Sequence, residues 1–574
     1  MQQKDFFISL NSKQKEAVEV IDSHLVIEAG PGTGKTRVLT AKVLYLLEES
    51  VSPEKILTIT FTNKASQEIK SRLSAYKGEK IPGVFTFHSW AYEYLKKEMG
   101  DFSVIGEEEQ AFCFNLATKG YSFDLNKRDI LKRIQLLKQS WPIDISVESD
   151  EIQRAWHLYH EFLKKQKFLD YDDLILVSIK LLLERKQVFY SFCLVDEFQD
   201  VSKAQYELLK ALSKDSLVTI IGDPNQAIYG FRGASPKFMT EFKEDFCPVK
   251  EVFLDKAYRC PNKILDAAYD LFKSNLRPKA QSSTKGEIFF KIFENEEKEA
   301  SWISKKIEEL VGGVSFESFN YGGSLNEQVG LSEICILYRV NHLSMPIKKA
   351  LSKIGIPYQL SVKDELEEQV ILKLWHFFEA MSGNFADYHI ERLSLSKQEK
   401  EYLFEIKSQI FDSSIKQDNY IEQICSILKI DSNFQNRQLV KKAISYFDQK
   451  GSFWLNFKNE QDLLDFDLEA VSLMSIHAAK GLEFKVVFLV GLDRDILPLS
   501  SSEEDEEKRL FFVGLTRSAE KVFITSTKNR TIFGKRHKTG PSPFINSIKP
   551  HLTIENLKPH IKKRPVKKRQ KKLF

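Results

Sequence analysis

No apolar run in the sequence approaches the roughly 18 residues that a membrane-crossing helix needs. The first residues, MQQKDFFISL, lack the apolar centre of a secretory signal, so a cytoplasmic protein is expected. Cysteine is scarce, with six scattered copies in 574 residues and no CxxC pair. That argues against a disulfide framework or a cysteine-held metal cluster and suits a reducing compartment. No short-period repeat is present. One stretch lacks acid altogether: Lys558–Phe574 carries nine Lys/Arg and no Asp or Glu. It reads as a disordered basic tail. The formal net charge is +4, so the rest of the chain sits near about −5. Any nucleic-acid contact in the body must therefore come from a local groove, not from overall charge.

What is present describes a soluble globular chain, 42% hydrophobic and 29% charged, long enough for several domains. Strand-like apolar runs recur at HLVIEA (His24–Ala29), ILTITFT (Ile56–Thr62), GVFTFH (Gly83–His88), FCLVDEF (Phe192–Phe198) and SLVTIIGD (Ser216–Asp223). Helical stretches separate them, which predicts a parallel sheet covered on both faces. From about Ala91 to Tyr190, Lys-rich amphipathic helical sequence takes over, as an inserted domain would. A second strand set follows at Glu287–Phe293, Glu333–Val340, Val471–His477, Lys485–Leu492 and Lys521–Thr527. Polar helical sequence from about Leu366 to Asp465 interrupts it. The fold class expected is α/β: two parallel-sheet cores, each carrying a helical insertion. Gly312–Gly330 is Gly/Ser-rich and reads as a surface loop.

The run AGPGTGKT (Ala29–Thr36) follows the first strand directly. In a strand–loop–helix context it is a phosphate cradle, whose successive backbone N–H groups face the β- and γ-phosphates. Gly30, Gly32 and Gly34 are expected to supply positive φ and close backbone approach. Ala29, Pro31 and Thr33 complete the loop, and Ala29 stands where the pattern usually opens with Gly. Lys35 places a point charge on the phosphates, and the Thr36 hydroxyl suits Mg²⁺. ATP and Mg²⁺ are the expected ligands. LVDEFQD (Leu194–Asp200) ends a buried strand with adjacent acids. Asp196 suits a second Mg²⁺ anchor and Glu197 suits a water-orienting base.

Further motifs follow in order: LNSKQKEAV (Leu10–Val18), TFTNKAS (Thr60–Ser66), TFHSW (Thr86–Trp90), LDYDDLI (Leu169–Ile175), IIGDPNQAIYGFRGA (Ile220–Ala234), AYRCP (Ala257–Pro261), ILYRV (Ile336–Val340), MSIHAAKGLEF (Met474–Phe484) and FVGLTRS (Phe512–Ser518). With the phosphate loop and the acidic strand end, the set resembles the UvrD/Rep/PcrA family of superfamily 1 DNA helicases. The resemblance implies two RecA-like P-loop NTPase cores. Core 1 would take residues 1–90 and 191–256, interrupted by insertion 91–190. Core 2 would take 257–365 and 466–550, interrupted by insertion 366–465, with a tail at 551–574. It also implies roles. Gln14 would read the adenine edge, Arg37 and Tyr258 would pack on the base, and Glu483 would touch the ribose. Gln226 would sense the γ-phosphate, with Arg259 and Arg517 as arginine fingers from the far lobe. An arginine finger is worth about 10³–10⁵ in rate. Phe61, Thr62, Asn63, His88, Tyr229, Phe231, Arg232 and His477 would line a single-strand track, held by stacking and phosphate contacts.

The sequence also departs from that pattern. GDPNQ replaces the more acidic GDDDQ, and Phe231 stands where the family usually has Trp. The second insertion is short and lacks the GxG signature used to grip duplex backbone. No nuclease domain is expected, because the chain stops soon after the last motif. The final QKKLF (Gln570–Phe574) resembles the QxxLF peptide that docks on bacterial sliding clamps, with Leu573 and Phe574 filling an apolar pocket and Gln570 at its rim. The reading that follows is an ATP-dependent 3′→5′ helicase acting on single-stranded DNA and single-strand/duplex junctions. The alternatives are a translocase that strips bound proteins with little unwinding, a nucleotide-gated binding module, and a P-loop kinase or GTPase. Intact Glu197, Gln226 and Arg517 oppose the binding module. The NKAS run lacks the Asp of a guanine-reading NKxD.

Overall fold

The computed structural model describes residues 7, 9–77, 80–185, 189–274, 276–312, 329–360, 365–382, 386–393, 395–396, 398–403, 417–431, 437, 439–441, 443–444, 469–500, 502–532 and 535–554. Residues 313–328 of the Gly/Ser-rich loop, much of the second insertion and residues 555–574 of the basic tail, with Gln570, Leu573 and Phe574, lie outside the described residues, whereas Thr553–Ile554, placed in the tail by the sequence, is a strand of the second core.

A six-stranded sheet forms the first core, in the order Gly83–Thr86, Ile56–Thr60, Phe192–Val195, Leu217–Gly222, His24–Glu28, Val249–Phe253. Every neighbouring pair is parallel. Parallel strands need both faces covered, and the continuous apolar runs supply both. One face packs Val38, Leu39, Val43 and Leu44 of helix Lys35–Glu48 with Leu25, Ile27 and Leu194. The other packs Val26, Leu57, Val195 and Ile220 beneath Leu176, Ile179, Leu208 and Leu209. Each such buried side chain contributes about 1.5–3 kcal/mol. The edge strand Val249–Phe253 escapes a reading by hydropathy because Lys250 and Glu251 interrupt it.

The second core is a seven-stranded parallel sheet, in the order Tyr358–Leu360, Val471–Ser475, Ile334–Tyr338, Phe484–Val490, Ser518–Thr527, Glu287–Phe293, Thr553–Ile554. The two edge strands, at Tyr358 and Thr553, are too short to announce themselves by periodicity. A small antiparallel hairpin, Asn529–Ile532 with Lys535–Lys538, follows the long strand.

Residues between the third and fourth strands of the first core fold mainly as helices, the longest being Phe87–Met99, Asp150–Gln166 and Tyr171–Arg185. They carry their own cluster around Phe114, Ile130, Ile134 and Tyr159. Two three-residue strands, Ser103–Ile105 and Phe168–Asp170, pair within this helical region. The described part of the second insertion packs Trp375, Phe377, Phe378, Ile424 and Leu428 around helices Glu365–Ser382 and Gln417–Ile427. Among the described residues, no helix is long and apolar enough to cross a membrane.

Candidate active site and nucleic-acid track

Strand His24–Glu28 lies between Leu217–Gly222 and Val249–Phe253, and its carboxyl end opens into the Gly-rich loop. Carboxyl ends of strands are where open α/β sheets bind ligands. The loop is anchored by Ala29 N–H donating to the Gly222 carbonyl (2.9 Å). Gly32 and Gly34 have φ of +69° and +86°, so an L side chain is strained at either. Gly30 does not share that conformation, contrary to the sequence expectation. It is glycine for space, since a Cβ there would lie 2.5 Å from the Tyr269 hydroxyl. Pro31 and Thr33 are buried, and the Thr33 hydroxyl donates to the Gly30 carbonyl (2.9 Å). Helix Lys35–Glu48 starts from Gly34 with no side-chain cap and no acid in its first turn, leaving its N–H groups to an anion.

Neighbouring strands bring the acids to this loop. Asp196 follows Phe192–Val195, and Asp223 follows Leu217–Gly222. Lys35 Nζ lies 4.0 Å from Glu197 Oε1 and 3.4 Å from the Ala29 carbonyl. Glu197 adopts φ +50°, and Gln199 Nε2 donates to its carboxylate at 2.5 Å. Burial, with Glu197 beside it, pushes Asp196 up to about 7, against the pull of Lys35. Burial also acts to raise Glu197, but Lys35 and Lys480 outweigh it and bring that carboxyl down to about 2. A buried carboxylate beside another, with Thr36 on the adjoining helix turn, is a donor set that a hard divalent cation fits.

The second core meets this site from across the cleft. Arg517, 2% exposed, donates Nη2–H to Gln226 Oε1 (3.3 Å) and Nη1–H to the Leu482 carbonyl (3.2 Å). Gln226 Nε2 in turn donates to Asp223 Oδ2 (2.7 Å). Burial, with Arg259 close by, pulls Arg517 down to about 9. Two guanidiniums held so close favour an arriving polyanion. Arg259 packs on the loop itself: a Cβ on Gly32 would lie 2.9 Å from the Arg259 Cβ. Its Nη1 pairs with Glu483 at 3.0 Å. Glu483 is therefore drawn to an arginine as well as standing at the cleft edge. Tyr258, 47% exposed, accepts a bond from Asn11 Nδ2 (2.8 Å). Gln14 is buried; its amide donates to the Thr33 carbonyl (3.0 Å) and accepts from the Asn11 N–H (3.0 Å), leaving one N–H for a ligand. Arg37 Nη2 reaches the Ser9 carbonyl (3.4 Å).

The candidate strand-binding residues sort into two groups. Phe61 stacks on Tyr229 (centroids 5.2 Å, 22° between planes). Tyr229 adjoins Phe231 (6.1 Å), and Phe231 meets the His477 ring edge-on (5.9 Å). Arg232 lies over Tyr229 and Phe231, 6.0 and 5.6 Å from the ring centres. These side chains form one row across both lobes, and Phe231 is 60% exposed. Thr62 is exposed, and its hydroxyl accepts from the Ala65 N–H (3.2 Å). Asn63 opens helix Asn63–Lys77. His88 stacks on Tyr171, with ring centres 4.0 Å apart.

Two family models account for most of the chain. The UvrD/REP helicase N-terminal domain matches residues 10–247. The UvrD-like helicase C-terminal domain matches 252–393 and 389–529. The chain belongs to the UvrD/Rep helicase family. Similar curated proteins are matched along most of their own length. The ATP-dependent DNA helicase PcrA of Bacillus subtilis is 29% identical over 96% of this chain and 86% of its own. The probable DNA helicase II homolog of Mycoplasma capricolum is 29% identical, covering 94% of this chain and 87% of its own. The ATP-dependent DNA helicase Rep of Buchnera aphidicola is also 29% identical, covering 94% of this chain and 98% of its own.

Several residues of this UvrD-type helicase escaped the sequence reading. Lys480 forms an ion pair with Asp200 and donates to the Gln226 carbonyl (2.6 Å), and its ammonium lies 5.2 Å from the Tyr229 ring centre. Arg509 Nε donates to the Ala227 carbonyl (2.7 Å), and Glu506 accepts from the Gly230 N–H (3.1 Å). All three come from the second core and land on 226–230 of the first. Lys480 lies within MSIHAAKGLEF (Met474–Phe484). Nothing local to it signals a partner 280 residues away.

Proposed function

We propose that this helicase is a motor driven by ATP that moves 3′→5′ on single-stranded DNA and separates the complementary strand at single-strand/duplex junctions. One observation carries the reading. The segment from Gln226 to Phe231 joins the residue that Arg517 contacts to the exposed aromatic row. Nucleotide and strand would therefore act on the same short stretch of chain.

In this reading the loop N–H groups and Lys35 hold the phosphates, while Gln14, Arg37 and Tyr258 hold the base. Thr36 and Asp196 would hold Mg²⁺, which would supply positive charge against the triphosphate. Glu197, kept ionised by its cationic neighbours, orients the attacking water. Arg259 and Arg517 face the charge that develops on the transferred phosphoryl, and they do so only when the lobes are together. Phe61, Tyr229, Phe231 and His477 present faces for base stacking, worth about 1–3 kcal/mol per base. Arg232 adds a phosphate contact. A cytoplasmic setting suits a DNA substrate. The QxxLF pattern at Gln570–Phe574 supports a clamp partner, and unchanged clamp affinity after its deletion would remove it.

The test pairs ATP turnover, with and without oligonucleotide, with unwinding of 3′- and 5′-tailed duplexes. Strong stimulation by single strands and unwinding from the 3′ tail are expected. Equal turnover in both conditions would overturn the coupling. Unwinding from the 5′ tail alone would overturn the polarity. Translocation without strand separation would leave the protein-stripping alternative.

A further inference from the structure

A second cluster of coordinating groups lies away from the nucleotide cleft, where the two insertions meet. Helix Glu107–Ala117 of the first insertion supplies Glu109. Helix Glu365–Ser382 of the second supplies His376 and Glu379, three residues apart and so on one face. Helix Ala386–Arg392 supplies His389. All four side chains are buried.

We propose that Glu109, Glu379 and His389 form a divalent-cation site, positioned by His376, that clips the second insertion to the first. One ligand atom from each of the three residues lies within 4.8 Å of the others. His389 Nε2 stands 3.2 Å from Glu109 Oε1. The second oxygen of Glu109 accepts from the Gly106 N–H at 2.5 Å, and that helix cap fixes which oxygen faces the cluster. His389 uses its other ring nitrogen, Nδ1, against His376 Nδ1 at 2.9 Å. Holding a ligand imidazole by its far nitrogen fixes its tautomer and aim, which is what outer partners of metal-bound histidines do. Trp375, itself buried, closes over both imidazoles, with ring centres 5.3 Å from His389 and 4.5 Å from His376.

The chemistry favours a cation. Two carboxylates converging in a buried place repel, and a divalent ion between them relieves that. Zn²⁺ takes nitrogen and oxygen ligands at about 2.0–2.2 Å. One imidazole with two carboxylates suits first-row divalent ions such as Zn²⁺ or Mn²⁺. Because Glu109 and the other two ligands come from different insertions, occupancy would bear on how firmly these are held together.

Zn²⁺ is the probe, titrated into full-length protein that has been stripped with chelator and kept free of nucleotide. One tight equivalent is expected beyond any weak background, together with a rise in melting temperature. Glu109→Gln, Glu379→Gln and His389→Ala should each weaken that equivalent at least tenfold and abolish the rise. Basal ATP hydrolysis measured in Mg²⁺ should be unchanged in E379Q, which confirms its fold. His376→Ala should lose about 10–100-fold in affinity. His376→Asn, which keeps a polar atom near the Nδ1 position, should recover part of it. Absence of a tight equivalent in the wild type, or the same equivalent in E379Q and H389A, would overturn the proposal.

Discussion

Arg517 of the second core donates to the side-chain oxygen of Gln226 on the first, across 3.3 Å. The same guanidinium is held from behind by the Val513 and Leu482 carbonyls. It is thus fixed before any nucleotide arrives, which is the condition for electrostatic catalysis. Arg517→Ala should lower the DNA-stimulated kcat by about 10³-fold or more, with ATP affinity changed much less. Steady-state hydrolysis alongside a nucleotide titration separates the two effects.

Lys480 bridges the lobes by pairing with buried Asp200 and with the Gln226 carbonyl. Burial already pushes Asp200 up to about 6, with Lys480 opposing. Lys480→Ala should cost about 3 kcal/mol by stranding that carboxylate. Adding Asp200→Asn should restore most of the stability. Stimulation by single strands should stay depressed in both variants. Denaturant titrations and turnover ratios check the two halves.

Phe231 projects into solvent, 60% exposed, with Arg232 over its face. Phe231→Ala should change folding stability by no more than about 0.5 kcal/mol. It should weaken single-strand binding by about 1–3 kcal/mol and cut translocation per ATP. Phe231→Trp should retain or tighten binding. Fluorescence anisotropy at fixed salt measures the affinity, since phosphate contacts vary with salt.

Burial under Tyr171 pulls His88 down from 6.5 to about 3. Between those values the unfolded chain takes up a proton that the folded one refuses. Stability from this residue is therefore complete above about 6.5 and declines as the solution is acidified towards about 3. His88→Asn should flatten that decline by up to about 1 kcal/mol per pH unit. Unfolding midpoints at pH 7 and pH 5, compared between wild type and variant, check the sign.

Much of this architecture could be read from residue order alone. AGPGTGKT and LVDEFQD each end an apolar run, and the fold sets them on nearby strands because parallel sheets bring such ends together. Strands that resisted were short or interrupted by charge, as at Tyr358–Leu360 and at Lys250–Glu251. Gly30 shows a subtler limit. Glycine is needed there because Tyr269, far along the chain, fills the space a side chain would take. Lys480, Arg509 and Glu506 were unreadable for the same reason: their partners sit more than 250 positions away. The Glu109–Glu379–His389 convergence joins two insertions that no local pattern links.

Lys480, Arg509, Glu506 and Arg517 all end on the stretch from Gln226 to Gly230. A turn gripped at so many points has little freedom to flex internally, so it would move as a unit with the far lobe. In the proposed motor, the message between fuel and track would then have no long wire to cross. Its whole path would be a handful of peptide bonds, from Gln226 to Phe231.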